Sequence, residues 1–299
     1  MRRLSLEARQ SRLGWILVSP ALVLLILVGA YPLGQTFYVS LTDARLASGR
    51  PANFVGLANY TRLAADPGFQ ASVANTVLFT VTSVIVEIVL GLAMALVVNS
   101  RFRGRGVLRA AMLIPWALPT VVSAKMWNYM LVDTYGVVND LLVTRSGLLE
   151  TKVAWLAEPG LALASIIAVD VWKTTPFVAL MLLAGLQVIP PALYEAASVD
   201  GASRLQQFWR ITLPMLRPVI LVTLIFRTLD ALRVFDVIWV MTRGQSGTES
   251  MATYNFRQLI DFQKLGYGSA VSVAIFALIA LFVAAYLVVL RRWREAEMS

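Results

Sequence analysis

Neither cysteine nor histidine occurs among the 299 residues. Disulfides and thiolate chemistry are excluded, as are imidazole proton relays and metal sites built from Cys or His. Charged residues are scarce, at 14% against about 25% in soluble domains. No GxxxxGK(S/T) phosphate loop is present, so the chain lacks that cradle for holding and hydrolysing ATP. No internal repeat or low-complexity tract occurs. An embedded enzyme without His or Cys would rely on an acid–base pair such as Asp230 and Glu87, and no motif surrounds either residue.

Apolar surface is abundant. Hydrophobic residues make up 58%, above the roughly 45–50% of soluble domains, and the mean hydropathy is +0.71. A soluble fold of this size cannot hide so much, so the bilayer acts as solvent. Apolar stretches able to cross roughly 30 Å of hydrocarbon fall near 15–40, 73–98, 107–132, 160–188, 217–242 and 268–290. The expectation is an all-α membrane protein with six transmembrane helices, the whole of 1–299 forming one membrane domain with no soluble enzyme module. The first run, from Trp15 to about Ser40, is too long for a signal-peptide core and reads as a retained span. Pro20, Pro32, Pro115, Pro119 and Pro176 lie inside spans and predict kinks.

The net charge of +9 reads as loop asymmetry, with no nucleic acid as partner. Arg2, Arg3, Arg9 and Arg12, then Arg101, Arg103, Arg105 and Arg109, then Arg204, Arg210 and Arg217, then Arg291, Arg292 and Arg294 fall on one side. The opposite loops carry Arg45, Arg50, Arg62, Arg145, Lys152, Arg243, Arg257 and Lys264 over longer segments. The positive-inside rule puts both termini and residues 195–214 in the cytoplasm.

Residues 195–214 read EAASVDGASRLQQFWRITLP between two apolar runs. Ile189-Pro190-Pro191 ends the fourth span, since proline cannot continue the hydrogen-bond ladder. Ala192 to Val199 reads as a short helix, with Gly201 where a left-handed residue is needed. Ser203 and Gln206 have capping-box spacing for a second helix, 204–212, which Pro214 closes. Small Ala196, Ala197 and Ala202 permit close approach of another protein, and Phe208 and Trp209 are interface-type anchors. On the residues alone, two short helices lying in the membrane interface and a docking element remain equal readings.

The fifth span holds Arg227, Asp230, Arg233 and Asp236. Inserting four such charges costs on the order of 10–14 kcal/mol at the bilayer centre. The 14 Leu, Ile, Phe and Val residues of 217–242 recover roughly 4–8 kcal/mol. This helix therefore faces protein or water. Spaced three apart, the charges can pair in succession, either as a salt-bridge ladder that fixes packing or as part of a substrate path. Asp170 and Lys173 have the same spacing, and Thr174, Pro176 and Phe177 extend a polar, kinked patch. Glu87 and Lys125 are lone intramembrane charges expected to pair with neighbouring helices, and Trp116 and Trp127 suit the interfacial belt.

Glu195, Ala196, Ala197, Gly201, Ile211, Leu213 and Pro214 fill every position of a pattern that resembles the EAA loop of binding-protein-dependent ABC importer permeases. FVGLANYTRL at 54–63 resembles that family's first external loop. VWKTTPFVALMLLAGL at 171–186 and FRTLDALRVFDVIWVMT at 226–242 resemble spans of its carbohydrate branch, the permeases for maltose, trehalose, other oligosaccharides and glycerol-3-phosphate. Arg243-Gly244-Gln245-Ser246-Gly247 departs from the glycine-rich turn usual there.

The resemblance implies a type I ABC importer permease fold with a cytoplasmic coupling helix in the loop 190–215, docking on an ATPase through the pattern residues and Asp200. It implies sugar-contacting positions at Lys173, Thr174, Phe177, Arg227 and Asp230, beside the ionic residues Asp170, Arg233 and Asp236. The implied partners are a second homologous permease, two copies of an ATPase subunit, an extracytoplasmic solute-binding protein, membrane lipid and a sugar. The chain itself then has no catalytic residue, no metal and no cofactor, since ATP and Mg²⁺ belong to the ATPase. The implied setting is a bacterial or archaeal cell membrane. An α-glucoside such as trehalose or maltose, and an anionic carbohydrate such as glycerol-3-phosphate, are alternative cargoes. An ion-coupled carrier would use the carboxylates as a relay, but leaves 195–214 without a role.

Overall fold

The computed structural model describes the backbone of residues 6–100 and 102–298 and the side chains of 10–100 and 102–288. Arg2, Arg3 and Arg101 lie outside the described residues, as do the side chains of Arg9, Arg291, Arg292 and Arg294. Five helices are long and apolar enough to span: Gln10–Ser40, Pro67–Asn99, Leu161–Val188, Arg204–Ala231 and Leu265–Val288. A bent pair, Arg105–Ala117 and Thr120–Met130, supplies the sixth crossing if counted as one. No strand occurs among the described residues, and one isolated bridge joins Thr42 to Phe54.

Two expectations about the spans change. The third is broken, with its halves at 90°. Pro119 drives Leu118 out of the helical region, to φ −73° and ψ 138°, and itself has no N–H to continue the ladder. Pro176, by contrast, is carried inside the unbroken helix Leu161–Val188. The fifth span ends at Ala231 rather than near 242, and Asp236–Met241 forms a separate short helix. The break removes Arg233 and Asp236 from a helix that could not carry four charges through lipid. Ser250 Oγ secures it by donating to the Val234 carbonyl at 2.8 Å.

A third expectation fails at the other end of the fifth span. The helix that begins at Arg204 does not stop at Pro214; it runs on to Ala231. Pro214 would collide with the carbonyl of Arg210 in a regular helix. A π-turn over Phe208–Thr212, closed by Leu213 N–H to Phe208 O, widens the helix just before it. The same device precedes Pro32 in the first span, where Ile26–Ala30 is a π-turn closed by Tyr31 N–H to Ile26 O.

The chain divides into two compact units. The first joins the segment through Asp66 to Asn255–Ala277. There Asn59 Nδ2 donates to the carbonyls of Ser40 and Thr42, both at 2.8 Å, and so closes the end of the first span. Tyr267 OH donates to Asp66 at 2.9 Å, with Arg62 over its ring. Gly266 N–H donates to Ala44 O at 2.8 Å, and a side chain at 266 would strike the Thr42 carbonyl.

The second unit covers Pro67–Tyr254 and the segment from Leu278. Its centre is the close packing of the second, fourth and fifth spans. A Cβ on Gly91 would lie 2.6 Å from Val178 Cγ1, and one on Gly185 would lie 2.8 Å from Leu216 Cδ2. Small residues let such helices approach where lipid provides no hydrophobic drive between them. Buried Ala95, Val178, Leu182 and Leu216 fill one end, and Phe79, Ile166 and Ile238 the other. Gly91→Leu is expected to cost about 1–3 kcal/mol by overpacking, read as a lower melting temperature in detergent. Gly34→Leu, with nothing within 4 Å of the added carbon, should leave melting unchanged.

Candidate functional site

Three helices meet at Arg227. Its Nε stands 2.5 Å from Glu87 Oε2 and its Nη2 2.8 Å from Glu87 Oε1, a two-pronged contact with the second span. Nη2 also reaches Asp170 of the fourth span at 3.2 Å. Nη1 pairs with Asp230 one turn along its own helix. Thr174 Oγ1 lies 2.6 Å from Glu87 Oε1 and 2.6 Å from the Asp170 carbonyl, tying the acid to the fourth span. Arg227 is 3% exposed and Glu87 fully buried. The guanidinium fork suits such bidentate binding, which a point-charge ammonium cannot reproduce.

Of the two readings of the fifth-span charges, the ladder forms only in part. Arg227 and Asp230 do pair. Arg233 and Asp236 do not, because the helix ends between the two pairs; Arg233 Nε instead donates to Leu229 O at 3.2 Å. Asp170 turns to Arg227 rather than to Lys173, and no ion pair among the described residues uses Lys173. Lys125 is exposed and likewise without an ion pair among them.

A cavity of about 620 Å³ opens beside this cluster. Asp170, Lys173, Thr174, Phe177, Arg227 and Asp230 line it, with Arg233 and Asp236 at its wall. Asp170, Thr174 and Phe177, at i, i+4 and i+7, share one face of the fourth span. The residues singled out on the fourth and fifth spans for path or ion pairing all reach this one space, whereas Glu87 and Lys125 do not line it. Glu87 pairs with a neighbouring helix as expected, but its partner and the place of Trp116 were not read. Glu87 is the principal partner of Arg227, 140 positions away. Trp116 also lines the cavity, stacked on Phe177 with ring centres 5.8 Å apart and 19° between planes. Its position just before the Pro119 break was the only sequence signal.

Residues 191–214 build a separate exposed feature. Helix Pro191–Val199 closes in a Schellman turn: Ala202 N–H donates to Ala197 O at 2.9 Å and Gly201 N–H to Ser198 O at 3.1 Å, with Gly201 at φ +80°. Asp200 caps the helix, its N–H reaching Ala196 O at 3.0 Å. Ser203 and Gln206 form both halves of the capping box. Gln207 Nε2 donates to Ser198 Oγ and to Ala202 O, and Tyr194 OH meets Thr212 Oγ1 at 2.9 Å. These bonds fix the turn without any other protein. Glu195, Ala196, Asp200 and Gly201 lie exposed, and Ala197, Ile211, Leu213 and Pro214 half-buried. Val199 is 88% exposed, beside exposed Leu205 and Trp209.

Residues 87–295 match the model of the family described as binding-protein-dependent transport system inner membrane components. The chain is 45% identical over 295 residues to the trehalose/maltose transport system permease protein of Thermococcus litoralis, covering 97% of each chain. It is 43% identical to the sulfoquinovosyl glycerol transport system permease protein of Agrobacterium fabrum, covering 92% of this chain and 89% of that one. The trehalose transport system permease protein of Mycobacterium tuberculosis is 40% identical, with 91% and 86% covered. Among solved structures, a bacterial ABC transporter involved in import of the acidic polysaccharide alginate shares the fold, with a TM-score of 0.82 at 23% identity, covering 96% of this chain and 97% of that one.

Proposed function

We propose that this chain, which belongs to the family of binding-protein-dependent transport system inner membrane components, forms one half of a sugar pathway through a bacterial or archaeal cell membrane. It is a multi-pass permease subunit and carries no catalytic residue. A second homologous permease completes the pathway, two copies of a separate ATPase subunit hold ATP and Mg²⁺, and an extracytoplasmic solute-binding protein delivers the sugar. The arginine balance supports both termini and the 195–214 turn facing the cytoplasm.

One observation carries this reading. The exposed turn and the cavity are joined by a single helix, Arg204–Ala231, of 28 residues, or roughly 42 Å at 1.5 Å per residue. ATP-driven closure of the ATPase against Glu195–Pro214 displaces the near end of this rod. Its far end bears Arg227 and Asp230, so the cavity wall moves with it. Alternating access follows from rocking of this half-pathway against its partner.

The cavity's charges favour a neutral cargo. Arg227 spends four of its five N–H donors on three carboxylates and is 3% exposed, so it has little to offer an anion. Arg233 and Lys173 remain, set against Asp230 and Asp236 in the same space. A balanced set with carboxylate acceptors suits sugar hydroxyls, and trehalose or maltose is the leading cargo. The 43% identity to a sulfoquinovosyl glycerol permease supports a second reading, an anionic carbohydrate. An ion-coupled carrier is disfavoured, because Glu87 and Asp170 are engaged by Arg227.

The test is uptake into liposomes holding both permeases and the ATPase, with the solute-binding protein supplied outside. ATP-dependent accumulation of labelled trehalose is expected. Preference for sulfoquinovosyl glycerol would select the anionic reading, and uptake driven by a proton or sodium gradient without ATP would overturn the permease assignment.

A further inference from the structure

We propose that a groove near the outer end of the broken third span holds the phosphate of an anionic phospholipid, with Lys125 and Arg243 as its counter-charges. Helices Thr120–Met130 and Asp236–Met241 form its walls. Asn128 Nδ2 clamps one wall to the other by donating to Met241 O at 2.9 Å. The groove encloses about 410 Å³, and among the described residues its lining has two cations and no acid. Neither Lys125 nor Arg243 makes an ion pair among those residues. Asp133 borders an adjoining cavity and Asp236 the larger one, and neither comes within ion-pair reach.

Lys125 needs such a partner. It stands on a helix face otherwise made of Val121, Val122, Met126 and Tyr129, all exposed, the pattern of a surface turned to hydrocarbon. An ammonium on such a face is costly unless it reaches a headgroup. Lys125 lies five residues before the helix ends at Met130, roughly 7.5 Å along the axis, and its flexible stem covers that distance. The arginine balance, which faces 195–214 to the cytoplasm, puts this end in the outer leaflet. Arg243 is fixed at the end of the facing helix, its N–H donating to Ile238 O at 3.1 Å and to Trp239 O at 3.2 Å. Tyr129 and Tyr135, with ring centres 5.3 Å apart, line the groove with Trp239, an aromatic set typical of headgroup level. The two tyrosine hydroxyls make no hydrogen bond among the described residues and leave donors for phosphate or glycerol oxygens. Two unopposed cations select a phosphate over a neutral sugar, unlike the charge-balanced cavity described above.

The complete transporter, delipidated in detergent, is titrated with phosphatidylglycerol and its bound lipid counted by native mass spectrometry. Lys125→Gln and Arg243→Gln are each expected to weaken the tightest phosphatidylglycerol site about fivefold, and the pair together about thirtyfold. Phosphatidylcholine binding should not change, and Lys125→Arg, which keeps the charge, should bind as wild type. Equal phosphatidylglycerol binding by wild type and the double variant would overturn the proposal. Displacement of the lipid by inorganic phosphate at matched concentration would also overturn it, in favour of a free-anion site. So would loss of the second permease from Lys125→Glu with lipid binding unchanged, since the counter-charge would then be a carboxylate of that subunit. If the double variant does not assemble, Lys125→Arg against Lys125→Gln makes the same comparison. The readout is lipid occupancy and not uptake, so failure here is distinct from failure of the sugar-pathway reading.

Discussion

Arg227→Ala is expected to destabilise the permease by about 3–5 kcal/mol, the cost of leaving buried charge unpaired. Glu87 is fully buried and Asp170 nearly so, and Arg227 is the only cation within ion-pair reach of either among the described residues. Removing it strands two carboxylates between three helices. The result should be a lower melting temperature of the purified complex and less assembled permease in membranes. Arg227→Lys should fall between, since an ammonium cannot engage both Glu87 oxygens and Asp170 together. Neutralising the whole set, with Arg227→Met, Glu87→Gln and Asp170→Asn, should recover much of the lost stability, because a buried ionic set often contributes little net stability over uncharged residues of similar volume. An Arg227→Ala complex that melts like wild type while losing only uptake would make this side chain a sugar ligand instead of a strut.

Glu195→Lys is expected to abolish transport with the chain's own fold intact. Glu195 is exposed and makes no hydrogen bond or ion pair among the described residues, and such surface changes usually stay within about 0.5 kcal/mol. Under the docking role proposed above, reversing its charge acts on the ATPase. ATP-driven sugar uptake should fall at least about tenfold, with the ATPase either lost on purification or hydrolysing ATP without transport. Full uptake would remove the docking role from this turn. Gly201→Val should give the same functional loss by another route. At φ +80° a branched side chain costs roughly 1–2 kcal/mol, so the Schellman turn opens and the proposed docking surface loses its shape. Melting separates the two cases, since only the second variant should show a local stability loss.

Local chemistry was the legible part of this chain. The stop at Pro190-Pro191, the left-handed Gly201 and the Ser203–Gln206 box are each written within a few residues, and each folds as read. Hydropathy located the membrane helices, because their length is set by the bilayer and not by neighbours. Three features were not legible. Proline's effect depends on its surroundings: Pro176 is absorbed, Pro119 breaks a span, and Pro214 is bypassed by a π-turn. The partners of Arg227 were obscured because Asp170 and Glu87 lie 57 and 140 positions away, whereas i, i+3 spacing suggested only nearer ones. Trp116 looked like a belt residue because the elbow that redirects it arises from chain geometry and not from its own apolar character.

The contacts at Gly91 and Gly185 bear on how this protein can change shape. An interface in which one added carbon has no room leaves little freedom to slide, because packed surfaces resist compression. The second, fourth and fifth spans are therefore coupled stiffly, and a push at one reaches the others largely undiminished. Compliance resides in the non-helical joints at Leu118–Pro119 and Leu232–Phe235. An aromatic ring at the cavity wall adjoins each joint, Trp116 two residues before the first and Phe235 at the end of the second. Small rotations there swing bulky groups across the opening, so hinge stiffness, more than interhelical friction, sets how readily the cavity exchanges its contents.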